Sequence, residues 1–352
     1  YKEALLSRSG DDNKVMRMLM NRAKANPKKI VFAEANHLDV LKAAQISYQD
    51  GFALPILLGN REVIEELKKE LEFDADVPII DPKDPSSEPT REVYAERFYE
   101  GRKRRGVTLY GARTKMRERN YFGSMMVLVG DADGMITGHS RAYNNVIRPI
   151  FEVIGRAANI TRAATAHIMI TNRGPLVLAD TSINIDPNAE ELAEIARMTA
   201  NLGTAFGFDP VLALLSYSNF GSSSHPHATK VRDAVQLLHE RHPNLTVDGE
   251  IQTDFALNRE LRNSQFPFSN LGGKRVNTLI FPNLESANIT YKLLKELHTA
   301  NPIGPIMLGL RRAVHVLQLG ASVPEMVNMA AVAVIDAQER EKRRKARIVD
   351  NK

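Results

Sequence analysis

The chain has 352 residues, 43% apolar and 25% charged, with a formal charge of +5 and no cysteine. That is the profile of a soluble globular protein, long enough for two domains of ordinary size or one large α/β unit, and it excludes disulfides, thiolate metal sites and cysteine nucleophiles. No run nears the roughly 18 apolar residues of a membrane span and no signal-peptide pattern is present, so a cytoplasmic location is expected. The chain opens on Tyr1 rather than Met, which reads as a processed chain or a piece of a longer one.

In chain order, the stretch Gly10 to Asn13 reads as a break before a helix from Lys14 to Ala25. "KIVFAE" (Lys29 to Glu34) has the β-branched, uncharged centre of a buried strand, and Leu38 to Tyr48 has helical spacing. "ALPILLG" (Ala53 to Gly59) and "NREVIEELKKEL" repeat the strand–helix rhythm. Asp81 to Arg105 is polar and reads as a helix-bearing excursion over the surface. The rhythm resumes in "ADGMITG", "HIMIT", "PLVLAD", "VLALLSYS" and "NTLIFPN". Alternation of this kind predicts parallel sheets with helices on both faces. The basic run "EKRRKAR" (Glu341 to Arg347) reads as a solvated helix end, because nucleic-acid binding would want interleaved aromatic side chains and the chain has no Trp.

Three strands end in small polar residues: Thr137, Gly138 and Ser140; Ser216, Ser218, Asn219, Gly221 and Ser222; and Asn283 before a helix near Ser286. Ligands of open α/β sheets sit at such carboxyl ends, where backbone N–H groups and helix N-termini attract anions. A phosphorylated ligand is expected, although each tip alone could be an ordinary turn. No GxxxxGK[ST], no GxGxxG after a strand, no HExxH and no serine-hydrolase elbow occurs. The histidines of "LLHERHP" and "SHPHA" read as surface residues, and no metal site is expected.

Taken together, "YFGSMMVLVGDADGMITG", "ADTSINIDPNAEELAEIA", "LLSYSNFGSSS", "VDGEIQTDFAL", "LIFPNLESANITYKLL" and "GPIMLGL" resemble the phosphate acetyltransferase (phosphotransacetylase) family, from about Val15 to Gln338. The resemblance implies transfer of acetyl between phosphate and coenzyme A. It also implies two doubly wound α/β domains with parallel-rich sheets, an interdomain cleft and a dimer. By similarity 1–13 is a connector, 14–158 with 308–352 forms the first domain, and 159–307 forms the second. Two arginines of the kind that grip phosphate appear kept: Arg102, and Arg148, which would share the first turn of a helix with Pro149.

The loop "VHVLQLGASVPEM" departs from the active family. Where the family has Ser-Arg-Gly and then an aspartate, this chain has Gln318, Leu319, Gly320 and Glu325, and another family arginine is Asp39 here. No catalytic residue is therefore assigned. The departures resemble the C-terminal phosphotransacetylase-like domain of bacterial hybrid malic enzymes, as do "GPIMLGLRRAVHVL", "VNMAAVAVIDAQ" and the opening "YKEALL". That resemblance implies a regulatory module sensing acetyl-CoA or a related acyl-CoA within a homo-oligomer built on a dimer. NADP and a divalent metal would belong only to an upstream malate-oxidising domain. An active phosphate acetyltransferase and a purely structural dimerisation module are the alternatives. The expected ligand-binding residues are Arg102, Arg148, Ser216, Ser218, Asn219, Asn283 and Gln318, with His139, Ser140 and Arg312 as neighbours. Asp180, Asp248 and Glu250 read as loop braces, and Gly320 as a turn residue.

Overall fold

The computed structural model describes residues 16–350; the predicted connector and the break at Gly10 to Asn13 lie outside them, as do the first two residues of the predicted first helix. The chain divides into two compact units, one of Met18–Ala157 with Leu310–Lys352 and one holding Ala158–Gly309. Elements are numbered along the chain.

The first unit contains α1 (16–24), β1 (Lys28–Phe32), α2 (Leu38–Gln49), β2 (Ala53–Leu58), α3 (Arg61–Glu70), β3 (Ile79–Ile80), α4 (Glu88–Arg102), α5 (Leu109–Lys115), α6 (Arg119–Val129), β4 (Gly134–Thr137) and α7 (Tyr143–Val153). The chain returns to it late with β11 (Ala313–Val316) and α13 (Val323–Asp350). Its five-stranded sheet runs β11-β4-β1-β2-β3 and every pairing is parallel. Ile30, Val31 and Phe32 are fully buried, which is why β1 is a continuous apolar run rather than an alternating one. Helices start where side chains can satisfy free N–H groups: Asn60 accepts from Val63 N at 3.0 Å to open α3. Gly123 in α6 lets the helix close on the sheet, since a Cβ there would sit 2.7 Å from Met135 Sδ. The segment 81–105 is less superficial than its polarity predicts: α4 buries Tyr94, Ala95 and Phe98, and Tyr94 packs on Phe122 with ring centroids 5.0 Å apart.

The second unit contains β5 (Ala164–Thr171), β6 (Gly174–Ala179), α8 (Ala189–Ala205), β7 (Val211–Leu215), α9 (Pro226–Arg241), β8 (Thr246–Ile251), α10 (Thr253–Leu257), α11 (Arg259–Gln265), β9 (Thr278–Ile280), α12 (Leu284–Glu296) and β10 (Ala300–Leu308). Its sheet runs β10-β5-β6-β9-β7-β8. Four strands, β6, β9, β7 and β8, are mutually parallel, so their carboxyl ends share one edge. β5 and β6 instead form an antiparallel hairpin, and β10 pairs antiparallel to β5. The two residues between β5 and β6, Asn172 and Arg173, are far too few for a crossover connection. Gly174 (φ 94°) accepts the left-handed backbone that follows this turn.

Candidate functional site

In the first unit the carboxyl ends of β1, β4 and β11 bring Glu34, Gly138, His139, Ser140 and the loop after Val316 together. Glu34 accepts from Gly138 N at 2.9 Å, His139 N at 2.6 Å and Ser140 Oγ at 2.7 Å. Burial works to raise its pKa, but these three donors and the nearby Arg119 charge outweigh it and hold the carboxylate below its usual range. The His139 ring meets His37 edge-on at 5.8 Å, and its buried Nδ1 has no hydrogen-bond partner among the described residues. Burial, together with Arg119, keeps His37 below the ordinary histidine pKa against the pull of Glu34. Gly320 N donates to the His139 carbonyl at 3.0 Å, so the Gln318–Gly320 loop is laced to the β4 tip. Within that loop Leu319 is 71% exposed and Gly320 has φ 71°.

Beside this corner lies a pocket of about 450 Å³ lined by Asn36, Lys83, Arg117, Glu118, Arg119 and Arg141, among others. Four cations face two carboxylates there, Asp81 and Glu118, for a formal +2. Arg119 donates to Asn36 Oδ1 at 2.5 Å and Arg141 to Glu118 Oε1 at 3.0 Å. Burial raises the Glu118 pKa despite both arginines, and burial also lowers that of Arg119. Arg119 opens α6, where the helix dipole already disfavours a cation. A concave site with two surplus charges and a helix N-terminus attracts a phosphate-bearing anion.

The second unit places Ser216 and Asn283 in one pocket of about 520 Å³ at the ends of β7 and β9, together with Tyr217, Lys230, Ser286 and Thr290. Asn283 caps α12 by accepting from Ser286 N at 2.9 Å, and Lys230 pairs with Asp186. Ser218 and Asn219 turn elsewhere. Ser218 Oγ donates to the buried Glu250 at 2.9 Å, and Asn219 Oδ1 accepts from Gln252 N at 2.8 Å. Glu250 also receives Gly221 N and the Arg232 guanidinium, so the "SYSNFGSSS" loop is braced from beneath. Asp180 takes the Thr165 hydroxyl at 2.6 Å and Asn184 N at 2.9 Å; Asp248 takes Ser269 Oγ at 2.8 Å.

The arginines require correction. Pro149 lies in the interior of α7, not in its first turn, so Arg148 gains nothing from a helix N-terminus. Instead Arg148 is 75% exposed and pairs with Glu152, one turn on, at 2.8 Å. Arg102 turns its guanidinium to the end of α7, donating to the carbonyls of Phe151 at 2.9 Å and Glu152 at 2.8 Å. A cation on the last carbonyls of a helix is a C-terminal cap, and that occupies the fork expected to meet phosphate. Arg312 donates to the Leu128 and Arg311 carbonyls at 3.4 Å; burial, then Arg340, Arg311 and Arg344, lower its pKa. Glu325 reaches back to the start of α13, accepting from Ser322 N at 2.8 Å and from Ser322 Oγ at 2.9 Å. His239 bonds the Val247 carbonyl at 2.9 Å, and among the described residues no three of His, Cys, Asp and Glu gather as a metal site.

The residues not foreseen are Glu34, His37, Lys83, Arg117, Arg119, Arg141 and Lys230. Glu34 carried a usable signal, since "KIVFAE" ends at a strand tip, and so did Arg119, a cation at a helix start. Lys83 and Arg117 carried none, because only folding brings them beside Arg141.

A parallel sheet in one unit, a mixed sheet in the other and polar residues at the strand tips define an open-sheet α/β protein. The chain belongs to the phosphate acetyl/butaryl transferase family, whose profile matches residues 14–334. It is 38% identical over 331 residues to the phosphate acetyltransferase of Thermoanaerobacterium thermosaccharolyticum, covering 92% of this chain and 99% of that one. It is also 37% identical over 329 residues to the NADP-dependent malic enzyme of Haemophilus influenzae, covering 92% of this chain but 43% of that protein. The chain thus spans less than half the length of that relative. A phosphotransacetylase from Streptococcus pyogenes superposes with a TM-score of 0.87 at 36% identity, covering 93% of this chain and 99% of that one. Among the described residues no helix is long and apolar enough to cross a membrane.

Proposed function

We propose that this chain is the phosphotransacetylase-like portion of a cytoplasmic malic enzyme, which binds acetyl-CoA as a regulator without transferring its acetyl group. One observation carries this reading. The loop laced to the β4 tip presents an exposed leucine, Leu319, where family resemblance implies an arginine, while the cationic pocket of Lys83, Arg117, Arg119 and Arg141 beside it is intact. Leucine neither grips phosphate nor stabilises charge on a leaving group, and losing one such donor costs about a hundred- to thousand-fold in rate. The ester's phosphates would bind the surplus cations, and tighter binding to one conformation would bias an attached malate-oxidising domain. NADP and a divalent metal would be held by that domain, with no residue here assigned to either.

An active phosphate acetyltransferase is the second reading, favoured by the near-full-length match to the Thermoanaerobacterium enzyme. Two measurements separate them. Calorimetry should detect acetyl-CoA binding, and acetyl phosphate turnover with coenzyme A should run at least about a hundredfold below ordinary transferase rates. Turnover at ordinary rates establishes the second reading. An absence of binding, with malate oxidation in the full-length protein indifferent to acetyl-CoA, removes the first.

A further inference from the structure

Helix α13 sorts its charges by face. Asp336, Arg340, Arg343 and Arg344 follow the i, i+4, i+7, i+8 spacing that puts side chains on one side of a helix. Only the first is acidic, and Arg340 takes it up, donating Nε to Asp336 Oδ1 at 2.9 Å and Nη2 to Asp336 Oδ2 at 3.0 Å. The lysines stand on other faces and have carboxylates of their own: Lys342 pairs with Glu339 at 2.9 Å and Lys345 with Glu341 at 2.7 Å. On the arginine face, by contrast, no carboxylate among the described residues pairs with Arg343 or Arg344.

By itself this run reads as a solvated helix end, but the fold brings further cations to it. Arg340 Nη1 donates to the Leu310 carbonyl at 2.6 Å, and Arg312 Nη1 to the next one, Arg311 O, at 3.4 Å. The two guanidinium groups therefore lie over consecutive peptides. After burial, the charges of Arg340, Arg311 and Arg344 do most to lower the Arg312 pKa, so all three act on it. Arg311 is occupied at the end of α7, on Ile154 O, and Arg340 on Asp336. Arg312 has only contacts of 3.4 Å, beyond the usual N–H···O range, and pairs with no described carboxylate. Arg311, Arg312, Arg340 and Arg344 face Asp336 alone, four charges against one, a formal +3. Gathering like charges costs stability that a bound anion would offset.

The cluster is separate from the cationic pocket at the strand tips. Arg312 precedes β11, whose first residue Ala313 pairs with Gly134 at the start of β4, so it stands at the amino edge of the sheet. The four residues of β11, about 13 Å of strand, lie between it and the Gln318–Gly320 loop. Arginine forks match the oxygens of phosphate in pairs, and one helical turn sets Arg340 and Arg344 about 6 Å apart along α13, a span that two linked phosphoryl groups cover.

We propose that Arg312 and Arg344, backed by Arg340 and flanked by Arg343, form a second anion site that takes a small soluble ligand carrying linked phosphoryl groups. The site stands independently of the acyl-CoA reading. Inorganic pyrophosphate, titrated into the whole chain by calorimetry at fixed ionic strength, is the probe. Binding should survive Lys83→Ser with Arg141→Ser, which strips the strand-tip pocket. It should weaken at least about tenfold in Arg312→Ser with Arg344→Ser, with circular dichroism unchanged. Arg312→Lys, which keeps the charge and removes the fork, should weaken it about threefold or more. A pyrophosphate isotherm indifferent to the Arg312 and Arg344 substitutions overturns the proposal, and so does the absence of binding to the Lys83→Ser, Arg141→Ser variant. Tighter capture by a short single-stranded RNA or by phosphatidylglycerol vesicles than by pyrophosphate overturns the assignment to a small ligand.

Discussion

Glu152 shows how one side chain can hold several elements. Its carboxylate receives Lys115 Nζ at 2.5 Å, Tyr121 Oη at 2.6 Å and Arg148 Nε at 2.8 Å. Burial pushes its pKa up, but these three donors dominate and bring it down to about 2. A depressed carboxyl stabilises the fold fully above its unfolded value and loses that contribution as pH falls through the folded one. Glu152→Gln should therefore cost about 1–3 kcal/mol at neutral pH, and the gap from the parent should close between about pH 4.5 and pH 2 in thermal melts. A gap that persists at pH 2 would mean the charge is not what matters. Leu319→Arg tests the other decisive residue. Because Leu319 is exposed, the melting midpoint should stay within about 2 °C, while affinity for inorganic phosphate rises several-fold in calorimetry. Of the site, the polar strand tips and Leu319 were legible in the sequence. The roles of Arg102 and Arg148 were not, since an arginine reads the same whether it faces a phosphate or the carbonyls of a neighbouring helix.

Among elements, α7 carries the sharpest lesson. A proline with an apolar neighbour suggests a helix start, yet Pro149 sits inside Tyr143–Val153. The lost backbone bond is offset by burying Val146, Ile150 and Val153 on one face, a tertiary term that local propensity does not contain. The last carbonyls of α7 are then held by Arg102 and by Arg311, which donates to Ile154 O. Arg102→Ala should destabilise the protein by about 1–3 kcal/mol and speed amide exchange across 150–154. Loss of ligand affinity with exchange unchanged would restore the phosphate role. The Ser322–Glu325 hydrogen bonds hold the start of α13, and Ser322→Ala should cost about 1 kcal/mol in chemical denaturation. Strand and helix types were mostly readable: Leu38 to Tyr48 appears as Leu38–Gln49, and Ala53 to Gly59 as Ala53–Leu58. The β5–β6 hairpin was missed because strand–helix alternation says nothing about two strands joined by a two-residue turn.

For the whole molecule, chain continuity differs between the two units. The sheet of Ala158–Gly309 is built entirely from strands within that span. The other unit needs β11 beside β4, and α13 over α2, β1 and β4, from a segment that returns after residue 309. A fragment of residues 158–309 should accordingly fold with a cooperative thermal transition, whereas 18–157 alone should not. Cooperative melting of 18–157 would show that β11 and α13 are dispensable to its core.

What the sequence by itself determined was everything local or periodic: the α/β alternation, the buried strands, the polar strand tips, the family, and the loop in which leucine stands where resemblance implies a cation. What only the tertiary structure decided was which groups meet. Lys83 and Arg141 line one pocket, Arg102 turns to a helix end, Ser218 goes to Glu250, and Arg312 and Arg340 turn to consecutive carbonyls. Periodicity and turn chemistry act over a few residues, where the chain itself holds neighbours together. The partner of a charge or an apolar face is chosen across many residues, by burial and by the geometry of packed layers.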